Sequence, residues 1–263
     1  MDFAARITRL PIPADPARGL SALQATGIAD PRLGDLIRGT AGCSPYLAGL
    51  IEREADWLPG ALAHGDVVAR ETAGFETLSA DALGPALRRA KRRVALWTAL
   101  ADLGGVWPLE RVTGALTDLA DRATDLALRA HVAAEQARGK LPPTGAEAGG
   151  IVALAMGKMG AAELNYSSDI DLIVLYDDGA YDPDDQYEAR AALIRAAEAD
   201  VVVIDDALGS TDPSRLQLMS TLITEMGKNC QVIVLTCMPQ RYERVSGRTE
   251  YPIAELKSTG RLL

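Results

Sequence analysis

Residues 151–176 read IVALAMGKMGAAELNYSSDIDLIVLY, and this stretch decides the fold of the chain. It begins with a buried-strand pattern at 151–156, continues through a glycine turn, and ends with a second strand pattern at 169–176. The first 140 residues instead repeat apolar side chains at helical spacing. These helical segments cover about 44–57, 81–103 and 108–137. The sequence therefore predicts an α+β fold, in which a helical region precedes a small core with strands.

Two aspartates, Asp169 and Asp171, stand one residue apart at the start of the second strand pattern. Side chains alternate along a strand, so both carboxylates are predicted on the same side. Hard divalent cations prefer such oxygen ligands. Any strand can end in two solvated aspartates, and the pair alone is therefore weak evidence. The glycine turn that precedes it favours a functional site.

That turn is Gly157-Lys158-Met159-Gly160. It offers backbone N–H groups and one cation, a combination that suits a phosphate. Small polar residues then lead directly into the carboxylates. Phosphoryl and nucleotidyl transfer need Mg²⁺ to neutralise developing charge, together with donors that hold the phosphate chain. The residues therefore indicate chemistry of this kind.

The segment from Met156 to Ile173 closely resembles the nucleotidyltransferase motif of the bacterial glutamine synthetase adenylyltransferase/adenylyl-removing enzymes. The resemblance centres on the run Asn165-Tyr166-Ser167-Ser168-Asp169-Ile170-Asp171. This wording, and its position some 150 residues from the start, resemble the N-terminal, adenylyl-removing half of that family. The helical region is also similar to the family's helical lead-in. The resemblance covers about residues 1–195.

The resemblance implies a polymerase-β-like core in which Asp169 and Asp171 are catalytic and hold Mg²⁺. It also implies that the phosphates are contacted by Gly157, Lys158, Gly160 and Ser168. The implied reaction uses orthophosphate to lift AMP off a tyrosine of glutamine synthetase, and it releases ADP. The family's other half attaches AMP from ATP, and a PII-type nitrogen-signalling protein governs the balance. Glutamine synthetase and the PII-type protein are therefore the implied partners.

The tail of the chain differs from the rest in composition. Residues 1–199 contain 42 alanines, whereas residues 200–263 contain two. The run from Val201 to Asp206 has the form of a Walker B strand, in which Asp205 and Asp206 would hold Mg²⁺. With the residues that follow, it resembles the C-terminal end of SMC/RecN-like ABC ATPases over about 200–246. The sequence lacks the Gly-x-x-x-x-Gly-Lys-Ser/Thr phosphate-binding loop of such ATPases.

These comparisons predict three regions: a helical region at 1–140, a partial nucleotidyltransferase core at 150–195, and a short α/β ATPase-like tail at 200–263. The resemblance also implies a third carboxylate, in an arginine-rich segment soon after Arg195, and no such segment follows. The sequence therefore predicts the start of one enzyme joined to the end of another near 195–200, with impaired transfer activity. Residues 201–204 could compensate for the missing third carboxylate, because they could add to the sheet and bring Asp205 near the metal.

Two alternatives remain open at this point. One is an SMC/RecN-like ATPase fragment, against which the missing phosphate-binding loop weighs. The other is a non-catalytic helical module that docks glutamine synthetase. Metal and nucleotide titrations distinguish the enzyme from the docking module.

Composition argues against several other classes of protein. Three cysteines at unrelated spacings and two distant histidines form no zinc-binding pattern, disulfide framework or histidine-based triad. They are Cys43, Cys230, Cys237, His64 and His131. No apolar run is long enough to span a membrane and no signal segment stands at the N-terminus, so a cytoplasmic protein is expected.

Charge is spread unevenly along the chain. The net charge is −9, and residues 176–206 alone hold ten acidic and two basic side chains. This excess of acid argues against nucleic acid as a partner. The one dense basic run is interpreted as a solvated helix face. It consists of Arg88, Arg89, Lys91, Arg92 and Arg93.

Overall fold

The computed structural model describes residues 3–62, 67–166, 168–198, 220–221, 224, 231–233 and 243–248. Over these residues the fold is mostly helical, with one small antiparallel sheet. The chain divides into two compact units. The first consists of Met1–Ala123 and Ala162–Ser167, and the second of Thr124–Ala161 and Ser168–Leu263.

The helices of the described residues follow in chain order. They are α1 (Phe3–Arg6), α2 (Pro16–Thr26), α3 (Pro31–Cys43), α4 (Pro45–Arg53), α5 (Leu58–Ala61), α6 (Val67–Glu71), α7 (Ala80–Leu103), α8 (Leu109–Ala137), α9 (Gly157–Gly160) and α10 (Gln186–Glu198). None of the helices in this part of the chain is long and apolar enough to cross a membrane.

Three consecutive helices of the first unit begin in the same way. Each of α2, α3 and α4 has proline at its start, preceded by a residue whose side chain accepts a backbone N–H bond. Proline suits this position because its missing N–H would have no partner within the helix. The Oγ of Ser44, for example, accepts from the Leu47 nitrogen at 3.2 Å. The predicted start of a helix at Ser44-Pro45 is therefore confirmed.

The core of the first unit is built around Trp97 on α7. Its ring is buried, with the Phe3 ring edge-on at 5.3 Å between centroids and the Trp107 ring at 4.5 Å. Its indole N–H donates to the Ala61 carbonyl at 3.2 Å, so the buried polar atom is satisfied. The predicted helices at 81–103 and 108–137 are confirmed as α7 and α8.

The basic run on α7 is only partly solvated. Arg88, Arg89 and Lys91 are exposed, as predicted, but Arg92 and Arg93 are half-buried and bind Glu54. Their Nε atoms lie 3.1 and 2.8 Å from its two carboxylate oxygens. The interpretation as a solvated face is wrong for these two residues, because the carboxylate they bind lies 38 and 39 residues earlier in the chain.

Arg93 has a second acidic partner. Its Nη1 donates to Oε2 of Glu71 at 3.0 Å, while the guanidinium lies over the Trp57 ring. Burial by itself lowers the pKa of Arg93, but the bonds to Glu54 and Glu71 outweigh this effect and the pKa is raised. The guanidinium is therefore held in its charged form by this cluster.

The sheet belongs to the second unit. It contains β1 (Ile151–Met156), β2 (Asp171–Tyr176) and β3 (Gln231–Ile233) in that order, with both pairings antiparallel. The first two strands correspond to the strand patterns predicted at 151–156 and 169–176. The second begins at Asp171, two residues later than predicted, because its pairing with β1 ends there. The predicted strand at 201–204 lies outside the described residues.

One face of this sheet is covered by helices of the same unit. The cluster of buried side chains is drawn from β1, β2, the C-terminal part of α8 and the inner face of α10. It includes Leu128, Val132, Ile151, Val174, Tyr176, Ala189, Ala192 and Leu193. The helix that follows the acidic loop is α10, which begins directly after Asp185.

Candidate functional site

The glycine turn and the start of β2 lie at the same end of the sheet. β1 runs directly into α9, the four-residue helix that forms the turn. In the antiparallel register, Met156 at the end of β1 stands opposite Asp171 at the start of β2. The pairing therefore brings together the two elements that the sequence predicted to act jointly.

Gly157 packs directly against the carboxylate of Asp171. Its φ of +53° lies in the left-handed region, which residues with a side chain rarely adopt. A Cβ added there would lie 2.5 Å from Oδ2 of Asp171, closer than carbon and oxygen can approach without a shift. The backbone conformation thus favours glycine at this position, and a side chain there would make the Asp171 carboxylate shift.

The rest of the turn is held by close backbone packing. A Cβ on Gly160 would lie 2.5 Å from the Ala155 carbonyl oxygen, so this glycine also allows a close approach. Met159 is buried and anchors the turn, whereas Lys158 beside it is exposed. The arrangement leaves the cation at the surface next to the Asp171 end of β2.

The other predicted carboxylate, Asp169, stands just before β2 and is exposed. Ser168 precedes it and is half-buried, and Asp171 is half-buried as well. Strand alternation applies only within the strand, so the predicted placement of Asp169 and Asp171 on one side stays a prediction. The chain itself keeps Ser168 and Asp169 within three residues of Asp171.

The segment that joins the turn to the carboxylates packs within the first unit. Leu164 is buried, and the Tyr166 hydroxyl lies 3.5 Å from Oδ2 of Asp102. Burial and the negative charge of Asp102 raise the pKa of Tyr166 above its ordinary value, so this phenol stays neutral. Sequence reasoning missed Asp102, because it lies 64 residues before Tyr166 and no local pattern marks it.

Asp169 and Asp171 are the residues at this end of β2 whose carboxylate oxygens would suit a magnesium ion. Mg²⁺ commonly keeps several waters and takes one or two carboxylates together with phosphate oxygens. Within the described ranges, no group of three or more His, Cys, Asp or Glu side chains could hold a metal ion by itself. Asp205 and Asp206, the predicted metal ligands of the tail, lie outside those ranges.

The remaining candidates for metal or redox chemistry do not lie at this site. Cys43 is an exposed thiol at the end of α3, and its sulfur donates to the Ile12 carbonyl at 3.0 Å. His131 lies on α8 and is half-buried. The other histidine and the other two cysteines lie outside the described residues.

The site therefore consists of a glycine turn next to a strand that begins with an aspartate, within a small antiparallel sheet. The comparison with protein families is more specific. The chain belongs to the glutamate-ammonia ligase adenylyltransferase family, whose profile matches residues 36–203. This match includes the glycine turn, both aspartates and α10.

Individual relatives carry names that agree with this family. A bifunctional glutamine synthetase adenylyltransferase/adenylyl-removing enzyme of Rhodopseudomonas palustris (strain BisB5) is 42% identical over 177 residues, which cover 63% of this chain and 18% of the relative. Enzymes of that name from a Bradyrhizobium species (strain BTAi1) and Caulobacter vibrioides are 41% and 40% identical, over 70% and 66% of this chain. The chain spans about a fifth of the length of these relatives. No solved structure matches it.

Proposed function

We propose that this chain carries an adenylyl-removing centre that acts on glutamine synthetase. The observation that supports this proposal is the packing of Gly157 against Asp171, within a chain that belongs to the adenylyltransferase family. Relatives of this chain are named bifunctional adenylyltransferase/adenylyl-removing enzymes. The Asn165-Tyr166-Ser167-Ser168 wording favours the removing direction.

In this proposal Asp169 and Asp171 hold Mg²⁺, which neutralises the charge that develops on the transferred phosphate. The turn supplies the remaining contacts. Its backbone N–H groups and Lys158 orient phosphate oxygens, and Ser168 donates a further hydrogen bond. A side chain at position 157 would push the Asp171 carboxylate away, so glycine there keeps the metal-binding oxygen in place.

The reaction proposed is phosphorolysis. An oxygen of orthophosphate forms a bond to the phosphorus of the AMP group, while the bond between that phosphorus and the tyrosine oxygen of glutamine synthetase breaks. ADP leaves, and the tyrosine oxygen recovers a proton. In-line transfer of this kind depends chiefly on positioning and charge neutralisation, which are the two contributions assigned to these residues.

We further propose that this transfer is slow. The family pattern implies a third carboxylate soon after Arg195, and the sequence has no matching segment there. A third carboxylate bridges the second metal ion and helps to activate the attacking oxygen in two-metal chemistry. ATP as the substrate of the adenylylation assigned to the family's other half, a PII-type regulator and a cytoplasmic location belong to the same proposal.

Metal binding tests the site. Calorimetric titration with Mg²⁺ or Mn²⁺ should give measurable binding, and Asp171→Asn should weaken it by about 1–3 kcal/mol, as when a charged partner is lost. Asp182→Asn is the matched control, because Asp182 is an exposed acid of the loop that follows β2. Equal affinity in wild type and Asp171→Asn would show that the site is assigned wrongly.

Turnover tests the reaction. Adenylylated glutamine synthetase, orthophosphate and Mg²⁺ should yield ADP slowly, and Asp171→Asn should abolish that release. Release at roughly 1 s⁻¹ or faster, a rate typical of enzymes, would contradict the impaired activity. Its loss in Asp205→Ala would then identify Asp205 as a substitute ligand. ATP hydrolysis that vanishes in Asp206→Asn would instead favour the ATPase alternative.

A further inference from the structure

The strand that begins with Asp171 has a neighbour on each edge. β1 pairs with all six residues of β2, from Ile151 opposite Tyr176 to Met156 opposite Asp171. On the other edge, β3 pairs with the last three residues, with Gln231 opposite Tyr176 and Ile233 opposite Val174. β3 lies beyond residue 203, where the family match ends. The sheet therefore combines two strands inside the matched region with one strand outside it.

The burial of β2 makes its second neighbour important. Val174, Leu175 and Tyr176 are 4%, 8% and 4% exposed. Each residue of a strand directs its backbone N–H and carbonyl toward one edge or the other, and water has little access to strand groups this deeply buried. Buried backbone groups need a partner from the protein. β1 pairs with β2 on one edge, and on the other edge β3 pairs with residues 174–176, whose exposure is low with β3 in place.

We propose that the segment containing β3 is a donated strand that completes the sheet carrying Asp171. A part of the chain outside the family match would thus be a structural requirement of the second unit. Pairing on both edges fixes the direction of β2, and through it the position of its first residue beside Gly157. This inference goes beyond the proposed function, because it concerns the folding of the sheet whether or not nucleotide transfer takes place.

The proposal commits to this chain's own segment as the occupant of the edge. A strand edge with open N–H and carbonyl groups is also a surface that a second copy of the chain can pair with. The register distinguishes the two cases, since the proposal places residue 232 opposite residue 175 within one molecule. A second copy would place the same residues opposite each other in different molecules.

Disulfide trapping tests the register. Leu175→Cys and Val232→Cys are combined in a chain whose native cysteines are replaced by serine. Opposed residues of antiparallel strands have Cα atoms about 4.5–5.5 Å apart, within disulfide range, and their side chains lie on the same side. This pair should cross-link within one chain at least tenfold faster than the control pair Leu175→Cys with Ile233→Cys, which is out of register. Failure of the in-register pair to cross-link, or cross-linking only between chains, would overturn the proposal.

Hydrogen exchange tests the contribution of the pairing. Only alternate residues of an antiparallel strand turn the N–H toward a given neighbour, so one of Val232→Pro and Ile233→Pro must remove a bond to β2. That variant should lower amide protection over 174–176 at least tenfold, while α2 and α3 of the first unit keep theirs. Alanine at the same positions keeps the N–H and serves as the control. Unchanged protection of β2 in both proline variants would contradict the donated strand, and neither test depends on Mg²⁺ or ADP.

Discussion

Each of the two units buries one glutamate between two arginines, but the two sites differ in how far their arginines are withdrawn from water. The side chains of Glu54 in the first unit and Glu135 in the second are both 6% exposed. The two arginines that bind Glu54 are 32% and 25% exposed. The two that bind Glu135 are 69% and 47% exposed. The same pair of residue types is therefore a buried cluster in one unit and a near-surface pair in the other.

The first unit adds further partners to its cluster. Arg93 also binds Glu71, and the Trp57 ring has the guanidinium carbons of Arg93 and Arg70 at 5.1 and 5.9 Å from its centroid. Breaking a desolvated pair leaves a buried charge without compensation, whereas an exposed pair exchanges its partner for water. The comparison teaches that the burial of the arginine itself, more than the presence of an ion pair, decides what each arginine contributes.

The largest effect is expected for Arg93→Met. Loss of this guanidinium deprives Glu54 and Glu71 of one partner each, which should lower the free energy of unfolding by about 3 kcal/mol. Urea unfolding followed by circular dichroism measures it. Arg88→Met on the exposed part of the same helix should change stability by less than about 0.5 kcal/mol. Similar effects of the two substitutions would remove the basis of the comparison.

Gly157→Ala tests whether the stability of the second unit depends on a backbone conformation, as the stability of the first unit depends on a buried ion-pair cluster. We expect a loss of about 2 kcal/mol, because alanine must adopt a positive φ and displace the Asp171 carboxylate. Gly139→Ala is the matched control in the same unit. Its φ is +66° and a Cβ there would meet nothing within 4 Å, so strain alone should cost about 1 kcal/mol.

The two alanine variants also differ in what they do to the site. Gly157→Ala should weaken Mg²⁺ binding in calorimetric titrations, and Gly139→Ala should leave it unchanged. Thermal unfolding of both proteins gives the stability difference directly. Equal losses of stability and equal metal affinities in the two variants would mean that the Asp171 carboxylate moves aside without cost. The close packing of Gly157 against Asp171 would then not contribute to the site.

Arg195→Met tests the ion pair of the second unit, in which the arginine is more exposed. Its Nε and Nη2 bind the Glu135 carboxylate at 3.1 and 2.7 Å, but the side chain is nearly half exposed. Arg138 and water remain as partners after the substitution, so a loss of about 1 kcal/mol is expected in urea unfolding. A loss as large as that of Arg93→Met would show that exposure of the arginine does not set the energy.

The smallest effect concerns Asp121 on α8. Burial, and then the neighbouring charge of Asp118, raise the pKa of Asp121 above its ordinary value. Folding therefore favours the protonated carboxyl, and the stability linked to it is lost as pH rises through the folded pKa. Because the Asp121 side chain is exposed and solvent screens its charge, Asp121→Asn should raise stability by only about 0.3 kcal/mol at pH 7 and give no gain near pH 3.

Asp125→Asn is the control for that measurement, one turn further along the helix. Asp125 binds Arg129 at 2.7 Å, so its amide variant should be no more stable than the wild type at either pH. Thermal unfolding at the two pH values measures all three proteins. A gain for Asp121→Asn that persists at pH 3 would point to packing rather than charge.

Local patterns predicted the elements of this fold well. The Ser44-Pro45 cap, the long helices and the strand at 151–156 depend on neighbours within a few residues, and each is confirmed. The start of β2 was placed two residues early, since it depends on where β1 leaves the sheet at Gly157. The binding of Arg92 and Arg93 to Glu54 was not predicted either, because Glu54 lies 38 and 39 residues earlier in the chain. Contacts between distant parts of the chain leave no periodicity in the sequence.

The candidate site was predictable as a set of residues but not as a geometry. The residue types of the glycine turn and the aspartates predict phosphate and metal chemistry. The antiparallel pairing, which no local pattern predicts, brings Gly157 and Asp171 together. The pairing of β3 with β2 was not predicted. Residues 201–204, which the sequence analysis gave as one segment that could add to the sheet, lie outside the described residues. The structure pairs Gln231–Ile233 with β2, and a pairing over so long a separation leaves no local signal.

The position of the tryptophans around the first unit's core has a spectroscopic consequence. All three, Trp57, Trp97 and Trp107, belong to the first unit, and the second unit has none. Indole emission therefore reports on the first unit alone, with Trp97 sensing its apolar centre and Trp57 the guanidinium groups above its ring. Far-ultraviolet ellipticity sums the helices of both units. A difference between the unfolding curves from indole emission and from ellipticity would therefore distinguish the unfolding of the second unit, which has no tryptophan, from that of the first.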